Sequence, residues 1–271
     1  MLSKNKTDFE LWAEYRGQII SNNGGWFIDK GAFSYGHNIM QELAGNISYM
    51  QLVVLNVTGK IPSKNFADWL EAFFMGLSWP DARLWCNQIG SLGATLRSNQ
   101  MAAILAGTLA ADSRIYGVQP LIEAIAFIKK LQIENTTLSI SSMIENLPKS
   151  KGKPLAMGYA RPIALGDERV SIMHKIAKKL NFEEGLHVKL CFRIEAYLEQ
   201  HYQEKINIAG YAAAFFVDQG YSAKEIYAIS TTLVSSGVTA CYLDYLKKPA
   251  ETFLPLECND VIYQGKEKRT L

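Results

Sequence analysis

The segment MGYARPIALGDERVSIM, residues 157–173, decides the fold of this chain. A glycine turn leads through two arginines and an acidic pair into an apolar helical pattern. Arg161 and Arg169 bracket Asp167 and Glu168. Arginine can bind a carboxylate or a phosphate through two parallel hydrogen bonds, and backbone N–H groups at a helix start also favour anions. The segment therefore predicts either an anion site or a solvated helix entrance.

The bulk composition is that of an ordinary globular protein. The chain has 271 residues, of which 48% are hydrophobic and 20% charged, with a net charge of +2. This length suits one large domain or two modest ones. A balance so close to neutral gives no overall attraction for nucleic acid or acidic lipid. The longest apolar runs, such as residues 211–217, are too short to span a bilayer. We therefore expect neither a nucleic-acid partner nor a membrane partner.

Cysteine usage and the N-terminal residues indicate a cytoplasmic protein. The cysteines lie far apart, with no pair at metal-ligand spacing, at positions Cys86, Cys191, Cys241 and Cys258. The N-terminal segment MLSKNKTDFELWAEYRG is polar and charged, unlike a signal peptide. We expect reduced thiols and no metal site.

Helical periodicity dominates the chain and predicts an all-α protein. Ser48 is suited to cap a short apolar helix that Gly59 ends, and Ser63 is suited to cap the next helix, up to residue 77. Ser222 and Glu225 have the spacing of a capping box at the start of a helical segment running to residue 246.

Other segments give weaker predictions. Residues 25–36 alternate in polarity and predict a hairpin, whereas residues 139–158, rich in Ser, Lys, Pro and Gly, predict a lysine-bearing loop. Pro120 is predicted at the first position of a helix that ends in lysines. The small residues 235–237 would let another helix approach closely, in this chain or in a second subunit.

No generic catalytic motif is present in the sequence, because it contains no P-loop, no GxSxG elbow and no HExxH helix. Basic residues instead gather around the glycine turn: Lys149, Lys151, Lys153, Arg161 and Arg169. They predict phosphate or carboxylate contacts, with a solvated charged loop as the alternative.

The segment 157–173 resembles the citrate synthase signature, in which a Gly-aromatic-Gly-His turn leads to an Asp-Pro-Arg helix start. It is more similar still to the citryl-CoA lyase module of ATP-citrate lyase, whose helix begins Asp-x-Arg-Val; here Asp167, Arg169 and Val170 match. Further segments resemble the family in the same order, from about Gly25 to the end of the chain. They are ISYMQLVVLNVTGKIPSK (47–64), GTLAADSRIYG (107–117), INIAGYAAAFFVD (206–218), SSGVTACYLDYL (235–246) and DVIYQG (260–265).

This resemblance implies an all-α, citrate synthase-like fold with a large and a small helical domain. The large domain would comprise residues 1–117 and 219–271, and the small domain residues 118–218. It also implies a homodimer that takes coenzyme A, as an acyl-CoA substrate, together with a small carboxylate substrate.

The family's catalytic set of two histidines and an aspartate is not matched. Arg161 stands where the signature turn has histidine, Ala209 where the later segment has aspartate, and the first histidine position falls near Tyr116. Val234 stands where the family has an arginine that binds a substrate carboxylate. Of the family's substrate-binding arginines, only the one at position Arg169 is retained in this chain. Ala209 cannot accept a proton and Arg161 stays charged, so ordinary citrate synthesis is excluded.

Three functions remain open. The sequence favours an enzyme with altered carbon–carbon lyase or acyltransferase chemistry on an acyl-CoA, ahead of a non-catalytic acyl-CoA binder or regulator and of a dimeric scaffold. The predicted catalytic residues are Arg161, Tyr116 and Asp167, and the predicted substrate-binding residues are Arg169 and Arg114. The resemblance places coenzyme A at Lys151, Lys153, Ala156 and Gly158. The structural alternatives are ion pairs for both Arg161 and Arg169 and simple packing for Tyr116.

Overall fold

The structure, a computed structural model, describes residues 6–161, 164–267 and 269–270. It is 56% helix and 7% strand, which confirms the predicted all-α class. The packing separates two compact units, Met1–Leu70 and Glu71–Leu271. The domain boundaries predicted after residues 117 and 218 stay a prediction.

The first unit combines two helices with a small antiparallel sheet. Its elements are α1 (Asp8–Tyr15), β1 (Gly24–Phe27), β2 (Gly31–Ser34), β3 (His37–Asn38) and α2 (Tyr49–Thr58). Phe27 pairs with Gly31 across the β1–β2 turn, which confirms the predicted hairpin, and β3 adds a third strand. Ser48 caps α2 by accepting a hydrogen bond from the Gln51 amide, and Gly59 ends it at φ 74°, both as predicted.

The second unit is helical. Its helices are α4 (Trp85–Thr95), α5 (Gln100–Ala110), α6 (Val118–Glu134), α7 (Ile140–Glu145), α8 (Glu168–Lys179), α9 (Leu186–Tyr202), α10 (Ile208–Asp218), α11 (Ala223–Ile229) and α12 (Ser235–Leu246). The division from the first unit falls within α3 (Lys64–Leu77). Helices α4, α5 and α12 pack together, as do α6, α9 and α10.

Close helix packing in the first of these groups depends on small residues. A β-carbon on Gly90 would lie 2.9 Å from a Val238 methyl group, and one on Gly107 would lie 2.6 Å from the same methyl group. A β-carbon on Gly237 would lie 2.9 and 2.7 Å from the carbonyl oxygens of Ser78 and Trp79. Gly237 of the small-residue segment 235–237 therefore packs within its own chain, whereas Ser236 is exposed.

The prediction of a loop at residues 139–158 is wrong. This segment contains α7 and a hairpin of β4 (Lys149–Ser150) and β5 (Lys153–Pro154). The two turn residues Lys151 and Gly152 have φ of 50° and 80°, as a tight two-residue hairpin turn requires. The turn lacks the Asn-Gly or Asp-Gly pair that signals such a hairpin in a sequence.

Two helix boundaries also differ from the prediction. Pro120 is the third residue of α6, where its missing N–H still costs no helical bond, and the helix runs on past its lysines to Glu134. The segment 222–246 is not one helix, because a 3-10 turn at Ser230–Thr232 separates α11 from α12. The predicted capping box of Ser222 and Glu225 is confirmed.

One segment of the described chain, Ala223–Leu246, is long and apolar enough to cross a membrane by length and composition alone. Of its apolar window, 50% is buried inside the protein, and core helices of globular proteins meet the same criterion.

Candidate functional site

The centre of the candidate site is the buried carboxylate of Asp167. One of its oxygens accepts hydrogen bonds from Nε of Arg169 at 2.7 Å and from the Arg169 backbone amide at 3.2 Å. The other accepts from Nη2 of Arg169 at 2.7 Å and from the backbone amide of Ile208 at 2.9 Å. Asp167 is the N-cap of α8, and Ile208 is the first residue of α10. One carboxylate therefore fixes the start of two helices.

The surroundings of Asp167 keep it ionised. Burial alone would raise the pKa of this carboxyl, but the hydrogen bonds and charge of Arg169 outweigh it, and the pKa lies below its usual value. With two hydrogen bonds on each oxygen, the group is a positioning carboxylate and poorly suited to take a proton. The catalytic role predicted for it stays a prediction that this geometry does not favour.

Arg169 is held on two sides. Its guanidinium makes the bidentate pair with Asp167, and its Cζ lies 5.3 Å from the ring centroid of Trp79. The side chain is 18% exposed. In the part of the chain that the structure describes, no hydrogen bond uses its Nη1 atom, so one edge of this guanidinium is left for a ligand. The sequence pointed to Arg169 but not to Trp79, which lies ninety residues earlier in the chain.

Tyr116 lies in a closed loop after α5. Its backbone amide donates to Ser113 Oγ at 3.1 Å, and Asp112 pairs with Gly117 across the loop. The phenol oxygen lies 3.8 Å from Cys86 Sγ, and the one proton of this thiol is shared between Tyr116 and the side-chain oxygen of Asn87 at 3.6 Å. The sequence offered no signal for Cys86 beyond a reduced thiol.

The Tyr116 phenol and the Cys86 thiol are both protonated at neutral pH. Burial raises the pKa of the Tyr116 phenol far above its usual value, and burial likewise raises the pKa of the Cys86 thiol. The positive charge of Arg169 is near enough to lower the pKa of the phenol slightly against this trend. Tyr116 is thus a neutral hydrogen-bond donor close to a fixed cation.

Arg161 is engaged in ion pairs. Its Nη1 lies 2.6 Å from a Glu168 oxygen and 3.8 Å from Asp167, and its side chain is 14% exposed. Ala160, just before it, has φ 65°, and its carbonyl accepts a hydrogen bond from the Asn207 side chain at 2.8 Å. The next two residues of the loop, 162 and 163, lie outside the described residues.

The start of α10 shows what replaces the family's aspartate. Asn207 is its N-cap, and its side-chain oxygen accepts hydrogen bonds from the amides of Ala209 and Gly210. Asn207 therefore has a structural role, because it caps the start of α10. The methyl group of Ala209 supplies no acid or base at this position.

Three cations meet at an open cleft of about 370 Å³ beside the glycine turn. Lys153, Arg161 and Lys205 all line this cleft, together with Gly166 and Gln203. Lys153 pairs with Glu204 at 3.2 Å, and Lys205 pairs with Glu199 at 2.7 Å. Sequence reasoning missed Lys205, whose only signal was a lysine directly after the end of a long helix.

The other predicted coenzyme A residues surround the same turn. Lys151 is exposed at the tip of the β4–β5 hairpin, and Ala156 is buried, with its carbonyl accepting the Tyr159 amide at 3.2 Å. Gly158 has φ 87°, in the left-handed region that favours glycine.

The structure does not place Arg114 in the candidate site. Its side chain is exposed and makes no hydrogen bond or ion pair with the residues that the structure describes. The described ranges also contain no group of three His, Cys, Asp or Glu side chains that could hold a metal ion.

The fold resembles that of citryl-CoA lyases and citrate synthases of known structure, as the motifs of the sequence predicted. The citryl-CoA lyase of Hydrogenobacter thermophilus matches with a TM-score of 0.79 and 19% identity, over 93% of this chain and 97% of that chain. No protein-family profile matches the sequence, and no curated protein matches it by sequence.

Two larger proteins share the fold. The ATP citrate lyase of Methanothrix soehngenii, in complex with citrate and coenzyme A, matches with a TM-score of 0.76 and 16% identity, over 97% of this chain but 45% of that chain. The citrate synthase of Thermotoga maritima MSB8 matches with a TM-score of 0.63 and 13% identity, over 83% of this chain and 60% of that chain. This chain thus spans less than half of the ATP citrate lyase.

Proposed function

We propose that the protein binds an acyl-CoA and acts on it as a carbon–carbon lyase or acyltransferase whose chemistry differs from ordinary citrate synthesis. One observation carries this proposal. Tyr116, a partly buried phenol that stays protonated at neutral pH, lies near enough to Arg169 to be affected by its charge, and no described hydrogen bond uses Nη1 of Arg169. The likeness in fold to a citryl-CoA lyase supports the same class of reaction.

This pair is suited to stabilise negative charge on an oxygen. When a carbon–carbon bond next to a thioester breaks or forms, charge develops on the thioester oxygen as an enolate. A neutral hydrogen-bond donor held at that oxygen lowers the barrier because it needs no reorientation during the reaction, and a fixed cation nearby favours the developing negative charge. In this proposal Tyr116 donates to the thioester oxygen, and the free edge of Arg169 meets the carboxylate of the second substrate.

The cleft beside the glycine turn would take the phosphates of coenzyme A. Lys153, Lys205 and Arg161 converge there, and the backbone from Ala156 to Gly158 would face the adenine side. Each of these cations has a carboxylate partner in the structure, but surface ion pairs stabilise a protein by only about 0–1 kcal/mol. A phosphate can therefore replace the carboxylate at little cost.

A second candidate is a non-catalytic acyl-CoA binder. It is favoured by the ion pairs of the site, since Asp167 is saturated by Arg169 and Ile208 and Arg161 is occupied by Glu168. No carboxylate at residue 209 is available as a base.

Two measurements on the full chain separate these functions. Calorimetry at low salt would measure binding of coenzyme A and acetyl-CoA. Formation of oxaloacetate from citryl-CoA would measure lyase turnover, and release of free thiol would measure acyl transfer from other acyl-CoA esters. Binding with turnover that falls in Tyr116→Phe supports the enzyme. Binding without turnover of any ester supports the second candidate, and the absence of binding overturns both.

We also propose a homodimer through the outer face of α4 and α5. This face exposes large apolar side chains on both helices, which would be left in water in a single chain: Leu92, Leu96, Met101, Leu105 and Leu109, each at least 40% exposed. Sedimentation that gives a monomer at micromolar concentration, the range of ordinary self-association, would exclude it. Changing Met101 and Leu105 to aspartate should dissociate the dimer.

A further inference from the structure

A cavity of about 120 Å³ lies between the loop after α5 and the 3-10 turn after α11. Its walls are mostly aliphatic and include Leu109, Val118, Leu233 and Val234. It shares Ala111 and Val234 with the apolar cluster against which Tyr116 packs. The cavity contains none of the ion pairs of the Asp167 site and none of the cations of the basic cleft.

One hydroxyl at this cavity lacks a partner. Ser230 lines the cavity and is 1% exposed, and its Oγ makes no hydrogen bond with any described residue. The other three hydroxyls of the lining each have an acceptor. Thr108 donates to the Ile104 carbonyl at 2.9 Å, Thr231 to the Ala228 carbonyl at 3.2 Å and Tyr227 to Asp112 at 2.6 Å. A buried hydroxyl left without a partner is unfavourable, and a rotation of the Ser230 side chain toward the cavity would let a ligand supply that partner.

The charges around the cavity exclude an anion. Among the described residues, its lining contains no lysine and no arginine. Its one charged residue, Asp112, accepts hydrogen bonds from the Tyr227 hydroxyl at 2.6 Å and from the Gln119 amide at 2.9 Å. These bonds lower the pKa of Asp112, so it is negative at neutral pH. A carboxylate placed here would lose its hydration, gain no counter-ion and meet a like charge.

We propose that this cavity is a binding site for a small uncharged molecule, or an uncharged group of a larger one, with an aliphatic body and one polar end that hydrogen-bonds to Ser230. A cavity of roughly 150 Å³ holds benzene, so this one suits an occupant of about four to six non-hydrogen atoms. The inference goes beyond the proposed function and does not depend on acyl-CoA binding.

The test uses two ligands of nearly the same shape, isobutyramide and isobutyrate, titrated into the full chain at pH 7 and followed by NMR. We expect isobutyramide to bind with a Kd between about 0.1 and 10 mM, as the efficiency of such small ligands allows. Isobutyrate should bind at least about tenfold more weakly, because of its charge alone. Equal affinities, or no binding of isobutyramide to the folded protein, would overturn the proposal.

Two buried serines provide a matched pair of variants. Ser230→Ala should weaken isobutyramide binding by about three- to tenfold, the effect of one lost hydrogen bond. Ser91 is equally buried and equally without a partner among the described residues, but it lies in α4 and does not line the cavity. Ser91→Ala should leave the affinity unchanged. An equal loss in both variants would show that binding occurs elsewhere.

A third variant tests the charge argument. Asp112 is exposed at the edge of the cavity, so Asp112→Asn leaves the core intact. It should bring the affinities of the amide and the carboxylate closer together, mainly by strengthening isobutyrate binding. An unchanged ratio would contradict the role given to Asp112. If the protein binds coenzyme A but not isobutyramide, the cavity site alone is refuted. If it binds isobutyramide but not coenzyme A, the proposed function alone is refuted.

Discussion

Gly158 and Gly210 meet backbone to backbone. A β-carbon added to Gly158 would lie 2.5 Å from Cα of Gly210, and one added to Gly210 would collide with the Gly158 carbonyl. This approach brings the glycine turn against the first turn of α10, next to Ala209. The position of the turn, and of Arg161 three residues later, therefore depends on two missing side chains.

Gly210→Ala should destabilise the protein by about 1–3 kcal/mol, because the neighbour is backbone and cannot rotate away. Urea unfolding would measure the change. Gly76→Ala is the matched control, since Gly76 lies in α3 with no described atom within 4 Å of an added β-carbon. There the substitution should stabilise the protein by up to about 1 kcal/mol. Equal effects at the two positions would disprove the close approach.

Asp167→Asn should cost about 3–5 kcal/mol, because it leaves the guanidinium of Arg169 partly buried without its counter-charge. The control is Glu168→Gln one residue later. Glu168 also pairs with an arginine, but its side chain is 65% exposed, so the loss should stay below about 1 kcal/mol. If Asp167→Asn unfolds at the same urea concentration as the wild type, Asp167 does not hold the two helix starts together.

The lowered pKa of Asp167 predicts how the stability of the protein depends on pH. The pKa of Asp167 is lower in the folded protein than its ordinary value, since Arg169 outweighs the effect of burial. Its contribution is therefore fully present above about pH 4 and is lost as the pH falls through the folded pKa. Between pH 5 and pH 3 the wild type should lose more stability than Asp167→Asn. Parallel curves for the two proteins would contradict this assignment.

Helix starts were predictable from the sequence because caps are local. Ser48, Ser222 and Glu225 each act within four residues of their own position, so the residues that decide the cap are adjacent in the chain. The segment 139–158 was missed for the opposite reason. Its helix has six residues, too few to show a period, and its hairpin turn at Lys151 uses a residue that seldom adopts positive φ.

The candidate site was predictable only in part. Arg169 and Asp167 lie two residues apart, so their meeting could be expected at a helix start. The stacking of Trp79 on Arg169 and the contact of Cys86 with Tyr116 join residues that are thirty or more positions apart, and only the packing of the second unit brings them together. Nor could the sequence tell that Arg161 would be paired with Glu168.

The variant Tyr116→Phe tests whether the hydroxyl of Tyr116 takes part in catalysis or whether the residue only packs. The phenol hydroxyl accepts only a weak hydrogen bond from Cys86, so its removal should change the free energy of unfolding by less than about 1 kcal/mol. If Tyr116 donates to a developing oxyanion, kcat should fall by about 10²- to 10³-fold while coenzyme A binding is retained. Product formation (oxaloacetate for cleavage of citryl-CoA, free thiol for acyl transfer) and calorimetry on the same preparation measure both. An unchanged kcat would leave Tyr116 with a packing role only.

The last prediction concerns the two positions where the catalytic set of the citrate synthase family is replaced. Arg161→His alone should not produce citryl-CoA cleavage, because Ala209 still provides no carboxylate. Ala209→Asp alone should also fail, since Arg161 stays charged and cannot pass on a proton. Only the double variant combines a titratable donor with a base, and we expect a slow cleavage of citryl-CoA from it, measured as oxaloacetate formation above the wild-type rate. Citrate synthesis from acetyl-CoA and oxaloacetate by the unmodified protein at an ordinary enzymatic rate would show that these positions are not where its catalytic groups lie.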